Sequence, residues 1–279
     1  MAEFIRETLL LLPFLFATYL VLEAVEAHAG GALEKFLERA RSVGPAAGAL
    51  AGAIPQCGVS AAAASFYAGG AITVGTLLAV FLSTSDELLP VLLSERVPVG
   101  LLVKIVGLKC VCAVAVGFTA NGVLSFMRHI RRDVSVHELC EHSHCGCHKH
   151  DGILVPALIH TFEIFAFIVV ISGAIEFCMH MFGEDCLLKL RLTAPFLGEA
   201  VAGALGLIPN CAVSVAGAKL YLAGAMSSGA LMASSFTGSG VGLLVLFRTN
   251  RNLGENLAIL VSVYVLGVVL GALCGPLIA

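Results

Sequence analysis

Long apolar stretches recur along the chain, and short polar or proline-containing interruptions divide them. Runs such as Leu9–Val25 and Leu257–Leu273 are long enough to cross a bilayer as helices. Two other apolar stretches are broken near their middle, at Pro55 and Pro209. As a helix, the stretch 43–54 would rise only about 18 Å, against about 30 Å for the hydrocarbon core of a bilayer. The pattern therefore predicts an all-α polytopic membrane protein in which some helices are broken.

The two proline-containing stretches are copies of one motif. Residues 52–60, GAIPQCGVS, match residues 206–214, GLIPNCAVS, at six of nine positions and at an offset of 154. Proline removes a backbone donor and glycine permits a sharp reversal, so each copy is interpreted as a helix–break–helix hairpin. The chain is accordingly divided into a first transmembrane repeat over residues 1–127, a linker over 128–151 and a second repeat over 152–279.

Segment lengths predict how the two repeats cross the membrane. Each half is predicted to hold one full span, one hairpin and two further spans, near 8–28, 44–69, 72–93 and 99–125, and near 153–180, 195–225, 229–247 and 256–278. If each hairpin arm counts as a short span, the protein has about ten spans, five per half. An odd number of crossings per half makes the repeats inverted, with their broken helices meeting at the membrane midplane.

The distribution of Lys and Arg favours the inverted arrangement. With the N-terminus outside, the inner side collects nine of these residues: Lys35, Arg39, Arg41, Arg128, Arg131, Arg132, Lys149, Arg248 and Arg251. The outer side then holds four: Arg6, Arg96, Lys189 and Arg191. Parallel halves would give eight against five, a weaker positive-inside bias. We therefore expect an inner (plasma) membrane protein with both termini outside and the linker in the cytoplasm.

Composition agrees with a membrane protein and excludes several function classes. The chain has 279 residues, of which 58% are hydrophobic and 13% charged, and its mean hydropathy is +0.97. Its net charge is −3 and no basic patch indicates nucleic acid, so the lipid bilayer is the expected partner. The sequence contains no HExxH or GxSxG motif, which would indicate an enzyme. It also contains no GxxxxGK[ST] motif, which would indicate ATP-driven transport. Energy is therefore expected from an ion gradient, with protons moving inward.

The broken helices carry the candidate transport site. Interrupted helices of inverted-repeat transporters bind substrate at the membrane midplane through freed backbone groups and helix ends. Here each break adds an amide, a thiol and a hydroxyl, which predicts a site formed by Gln56, Cys57, Ser60, Asn210, Cys211 and Ser214, with Pro55 and Pro209 as the helix breaks. The alternative is a pair of proline kinks that are filled by small residues for packing.

Two acids in the third segment of the first half extend this candidate site. Asp86 and Glu87 lie within FLSTSDELLPVLL, residues 81–93. A carboxylate at the bilayer centre costs about 2.5–3.5 kcal/mol, so this pair needs a cation, a proton or a lysine as a partner. The matching stretch in the second half has hydroxyls and glycines but no acid, which makes the predicted site asymmetric. Alternatively, the helix ends early and both acids lie at the interface.

Further polar residues in apolar segments are candidates for secondary roles. Three lysines could act as counter-charges to the acids: Lys104, Lys109 and Lys219. His160 and Glu163 share one helix face at i, i+3 spacing. With two acids in equivalent first spans they give a candidate proton relay: Glu23, His160, Glu163 and Glu176. Solvated helix ends explain these residues equally well.

The linker is rich in soft and borderline metal ligands. The stretch VHELCEHSHCGCHKHD, residues 136–151, holds eight imidazoles and thiols: His137, Cys140, His142, His144, Cys145, Cys147, His148 and His150. Such density suits zinc, nickel, cobalt, copper or cadmium. The spacing fits no single zinc-finger template, so we expect several exchangeable arrangements that capture zinc-like ions.

The doubled Pro-Gln-Cys-Gly and Pro-Asn-Cys breaks, the ten short segments and the His-rich linker together resemble a bacterial family of ten-span heavy-metal exporters. This family is related in name to the arsenical permeases and is also described as manganese transporters. The resemblance implies efflux of a metal or metalloid, and it carries over to eight positions: Pro55, Gln56, Cys57, Ser60, Pro209, Asn210, Cys211 and Ser214.

Ligand chemistry favours a divalent metal as the substrate. Asp86, Glu87 and the two break amides offer oxygen ligands for manganese or iron(II), while Cys57 and Cys211 suit zinc-like ions. The expected function is secondary-active export of a divalent transition or heavy metal by proton antiport, without a tightly bound cofactor. The alternatives are a metalloid (arsenic) efflux permease and a permease for a small organic solute or anion. The sequence leaves a homodimer open.

Overall fold

The computed structural model describes residues 43–54, 57–85, 97–127, 196–209 and 211–278, together with a few single positions elsewhere. Within these ranges the regular elements are helices, which confirms the predicted helical class. In chain order they are α1 (Val43–Gly52), α2 (Cys57–Ala68), α3 (Val74–Ser83), α4 (Val99–Met127), α5 (Leu197–Gly206), α6 (Cys211–Leu222), α7 (Ser228–Thr237), α8 (Gly242–Thr249) and α9 (Leu253–Ile278).

The helix boundaries repeat at the offset of the sequence motif. Adding 154 to the bounds of α1, α2 and α3 gives the bounds of α5, α6 and α7, residue for residue. The same addition moves the start of α4, Val99, to the start of α9, Leu253. Two halves built on one plan are therefore present at the level of individual helices, as the motif predicts.

The turns between helices repeat as well. α2 ends at a Schellman-type turn in which Gly70 has a φ of 73°, and the equivalent Gly224 after α6 has a φ of 70°. A residue other than glycine would be strained in this left-handed conformation, because it carries a Cβ atom. The next helix then begins with a hydroxyl cap: Thr73 accepts from the N–H of Thr76, and Ser227 accepts from that of Ala230.

Among the residues that the structure describes, three stretches are long and apolar enough to cross a membrane: Val99–Leu124, Ser228–Thr249 and Leu253–Ile278. In α9 the exposed apolar side chains recur every fourth residue from Leu253 to Leu277, whereas the opposite face is buried. An exposed apolar stripe along a whole helix suits contact with lipid. Together with the shorter apolar helices, these stretches identify a membrane protein.

The two halves interlock through their short helices. α3 packs on α4 within the first half, and α7 packs between α5 and α9 within the second. Between the halves, α2 packs on α8, and α3 contacts both α7 and α9. Because α3 and α7 are buried over nearly their whole length, they form the centre of the bundle.

Candidate functional site

Both proline motifs coincide with interruptions of a helix, as predicted. α1 ends at Gly52 and α2 begins at Cys57, while α5 ends at Gly206 and α6 begins at Cys211. The end of a helix leaves carbonyl groups, and the start of the next leaves N–H groups, without partners inside the helix. Each break therefore offers both backbone donors and backbone acceptors within an apolar bundle.

Each break lies against the end of the third helix of its own half. A Cβ atom at Gly52 would meet the Oγ of Ser83 and, at 2.6 Å, the carbonyl oxygen of Val80. A Cβ atom at the equivalent Gly206 would meet the Oγ1 of Thr237 and the carbonyl oxygen of Ser234. Only glycine permits this approach, so the two glycines hold the breaks against the carboxyl ends of α3 and α7.

The third segment of each half is itself interrupted. α3 ends at Ser83 and is followed by non-helical Thr84 and Ser85, and the helix α7 is followed by a non-helical turn that begins at Gly238. Both segments are predicted as full spans from the sequence; an early helix end is the stated alternative for the first half, and no interruption is predicted in the second. The hydroxyls of Ser83 and Thr84 both donate to the Val80 carbonyl, at 3.0 and 2.7 Å, and Thr84, Ser85 and Ser239 are all buried. Two further helix ends therefore face the interior of the protein.

Lys109 joins these two helix ends. It lies in α4 and its side chain is fully buried. Its Nζ donates to the carbonyl oxygen of Thr84, at the end of α3, and to the carbonyl oxygen and the Oγ of Ser235, both at 2.8 Å. It also lies 5.9 Å from the ring centroid of Phe236, within the range of a cation–π interaction. One ammonium thus contacts oxygen atoms of both halves.

The Ser235 oxygen is available because α7 stops. In a continued helix its carbonyl would accept from the N–H of Ser239, but that N–H donates to the Thr237 carbonyl instead. The Lys109 ammonium therefore takes the place of a missing helical donor. Cations near helix C-termini also interact favourably with the helix dipole.

A second polar cluster links the halves at the start of α9. The hydroxyl of Tyr67 in α2 donates to Oε1 of Glu255. Asn256 is fully buried; its side chain donates to the Asn250 carbonyl at 2.7 Å and accepts from Asn250 Nδ2 at 2.8 Å. This network fixes the connection between α8 and α9 and ties it to the first half.

A pair of thiols also crosses the boundary between the halves. The Sγ atoms of Cys112 in α4 and Cys274 in α9 lie 3.6 Å apart, and both cysteines are free. The neighbouring Cys110 points its thiol at the carbonyl of Ala49, at 3.7 Å. Within the described ranges no group of three or more His, Cys, Asp or Glu residues could hold a metal ion.

The structure describes only part of the predicted transport site. Ser60 is fully buried in α2 and contacts α8 near Gly242, whereas Ser214 and Pro209 are half-buried. Cys57 and Cys211 occupy the first positions of α2 and α6. Nine further positions lie outside the described residues: Pro55, Gln56, Asp86, Glu87, Asn210, Glu23, His160, Glu163 and Glu176. The whole linker, residues 128–151 with all eight of its predicted ligands, lies outside them as well.

The three lysines proposed as counter-charges differ in their surroundings. Lys104 and Lys219 are exposed, and only Lys109 of the three is buried. Lys104 lies near the start of the predicted span, where a lysine is expected to extend towards the interface, and it is exposed in the structure. The sequence analysis missed Ser235 and Tyr67–Glu255 as contacts between the halves. The only sequence signal for Ser235 is the hydroxyl-rich SSFTGSG stretch that matches the acid-bearing stretch of the first half.

A family model matches most of the chain. Residues 9–194 match the ArsP_2 model, whose description names a 10TM heavy-metal exporter. The chain belongs to this family. The match includes the first break, α1–α4 and the linker, and the second break follows it at the repeat offset. No curated protein and no solved structure matches the chain.

Membership of the ArsP_2 family confirms the resemblance drawn from the two breaks and the linker. The family name and the apolar helices together indicate a membrane transporter of the heavy-metal exporter class. Nothing in this class points to an enzyme.

Proposed function

We propose that this ArsP_2 protein is a secondary-active transporter that exports a divalent transition or heavy metal ion in exchange for protons. One observation carries the proposal: broken helices of both halves bring their ends into the buried centre of the bundle, where Lys109 contacts oxygen atoms of α3 and α7. Backbone groups outside a regular helix are tolerated at membrane depth where they face protein, water or a ligand. A polar centre built by two repeats is typical of secondary transporters.

The proposed transport site lies between the two proline breaks. Gly52 and Gly206 hold these breaks against α3 and α7, whose ends are joined through Lys109. The first break, the ends of α3 and α7, and the second break are therefore connected through direct contacts. Residues of both breaks can act on one ion because of these connections. Its ligands are the residues of the two motifs: Gln56, Cys57, Ser60, Asn210, Cys211 and Ser214. Asp86 and Glu87, which directly follow Ser85, add negative charge.

The ligand set favours a divalent metal over a trivalent metalloid. Each break has one thiol, whereas the amides and carboxylates supply several oxygen atoms. Oxygen-rich sites with few thiolates suit manganese or iron(II). A permease for an organic anion fits less well, because the carboxylates of Asp86 and Glu87 disfavour a negative substrate.

We further propose inverted halves, with the linker in the cytoplasm as a reservoir for zinc-like ions. The repeat of helix bounds supports two equivalent halves, and the Lys and Arg distribution favours their inversion. Labelling from outside intact cells, on a background with few cysteines, should spare Cys140. Strong labelling there would contradict the inverted topology.

Metal flux into proteoliposomes tests the function. Purified protein is reconstituted, a metal-sensitive dye and a pH-sensitive dye are enclosed, and Mn²⁺, Fe²⁺, Zn²⁺ and Cd²⁺ are supplied one at a time with and without a pH gradient. At least one metal should cross with proton counterflow, and Asp86→Asn should abolish flux or separate it from the pH gradient because it removes charge but keeps shape. Flux no faster than in protein-free vesicles for every metal would overturn the proposal.

A further inference from the structure

Lys109 occupies a site whose chemistry is that of a cation-binding cage. Among the described residues its acceptors include the carbonyl oxygen of Thr84 and the carbonyl and hydroxyl oxygens of Ser235. Carbonyl oxygens at the ends of broken helices are the groups with which transporters coordinate small monovalent cations. Similar rings of carbonyl oxygens replace the hydration shell of K⁺ in channels. In this protein the cation is the ammonium group of Lys109, which is covalently attached to the chain.

Packing alone does not require a lysine at this position. The residue of the second half that lies 154 positions after Lys109 is Val263, which is also fully buried. An apolar residue therefore fills the equivalent place in α9. Burying an ammonium in an apolar bundle is costly unless its donors are satisfied. The lysine is thus explained by the oxygen atoms it contacts and not by the volume it fills.

The cage exists only because the two halves differ. Position 238, which matches Thr84, is the glycine after α7, and position 81, which matches Ser235, is a phenylalanine inside α3. The first half contributes one carbonyl and the ammonium, and the second half contributes a carbonyl and a hydroxyl. The ammonium therefore bridges the end of α3 and the end of α7 at the centre of the bundle.

We infer that the Thr84–Ser235 cage is a binding site for a small monovalent cation that Lys109 fills permanently with its own ammonium. A protein whose cage is filled in this way has no need of free Na⁺ or K⁺ to hold α3 and α7 together. Removing the side chain opens the site to an ion of similar size and charge, of which NH₄⁺ and K⁺ are the closest matches to a lysine ammonium. This inference stands apart from the metal substrate, because its test reads stability and ion binding, not transport.

Two variants and a matched control test the cage. Lys109→Ala leaves space for an ion, Lys109→Met keeps most of the apolar volume, and Lys104→Ala changes an exposed lysine of the same helix. Thermal unfolding of the full-length protein in detergent is followed at equal ionic strength in NH₄Cl, KCl, NaCl and choline chloride. Binding of ⁸⁶Rb⁺ to the same samples is measured by equilibrium dialysis.

The expected result is chemical rescue that is confined to position 109. Lys109→Ala should have a lowered Tm in choline chloride that rises by several degrees, and saturates, in NH₄Cl or KCl, and it should bind about one Rb⁺ per chain. Lys109→Met should be destabilised with a smaller rescue, because its side chain occupies part of the space. Wild type and Lys104→Ala should bind no Rb⁺ and should have the same Tm in all four salts.

Two results would overturn the inference. One is a Lys109→Ala protein whose Tm responds to NH₄Cl and KCl no more than that of Lys104→Ala. The other is failure of both position-109 variants to fold even when they are prepared throughout in concentrated NH₄Cl, since a free cation then does not replace the attached one.

Discussion

The thiol sulfurs of Cys112 and Cys274 lie 3.6 Å apart and connect α4 of the first half to α9 of the second. The helix α3, which lies against the first break, contacts both of these long helices. The thiol pair therefore lies in the same interface between the two halves. A disulfide needs an S–S separation of about 2.0 Å, so a small rotation of the two side chains would allow the bond to form.

Oxidation should therefore link Cys112 to Cys274. We expect mild copper–phenanthroline treatment of the full-length protein to produce this disulfide, identified by mass spectrometry of the linked peptides. Cys110, two residues away with its thiol on the Ala49 carbonyl, is the internal control and should stay unlinked to Cys274. Linkage of Cys274 to Cys110 in preference to Cys112 would contradict the packing of α4 on α9.

A Cβ atom at Gly206 should be destabilising. Gly206→Ala places a methyl group on Thr237 and on the backbone of Ser234, so the end of α5 must move away from α7. Overpacking of this kind costs about 1–3 kcal/mol. The matched control is Gly107→Ala in α4, where a Cβ atom meets nothing within 4 Å and helix propensity favours alanine. Thermal unfolding in detergent should separate the two variants; equal stability would contradict the close approach at the break.

The hydrogen bond between Tyr67 and Glu255 should couple the two halves. Tyr67→Phe removes a donor to a carboxylate, and we expect it to lower the free energy of unfolding by about 1.5–3 kcal/mol. Tyr221→Phe, at the equivalent position of the second half, should have a smaller effect. A double-mutant cycle with Glu255→Gln should give a clear coupling energy. Additive effects of Tyr67→Phe and Glu255→Gln would contradict a direct interaction.

Replacement of the linker should separate metal capture from transport. If residues 136–151 are replaced by a short Gly/Ser segment, the isolated protein should bind fewer Zn²⁺ ions in equilibrium dialysis, because eight imidazoles and thiols are lost. Metal flux in proteoliposomes should largely persist. Complete loss of flux in a folded variant would show that the linker forms part of the transport path.

Much of the fold follows from local sequence. The GAIPQCGVS and GLIPNCAVS copies predict both the repeat and the position of each break, because proline and glycine act on the backbone wherever they occur. The interruption after Ser83 is harder to predict. Serine and threonine hydroxyls can bond the preceding turn whether or not a helix continues, so the STS stretch does not reveal where α3 ends.

The contacts within the candidate site depend on tertiary packing. Lys104 and Lys109 have similar apolar neighbours in sequence. The packing of α4 on α3, together with the contact of Lys109 with Ser235 in α7, buries Lys109. Ser235 is equally unremarkable until the end of α7 frees its carbonyl. The pairing of Tyr67 with Glu255 spans 188 positions and has no counterpart in the motif repeat.

We propose that the two breaks form one metal site, and substitution of the cysteines of the breaks tests this most directly. Metal flux in proteoliposomes is measured for wild type, Cys57→Ala, Cys211→Ala and the double variant, with folding checked by thermal unfolding. Each single change should weaken transport, and the double change should cost much less than the sum, because ligands of one ion act as a unit. Wild-type flux in both single variants would contradict a shared metal site, and the breaks would then serve packing alone.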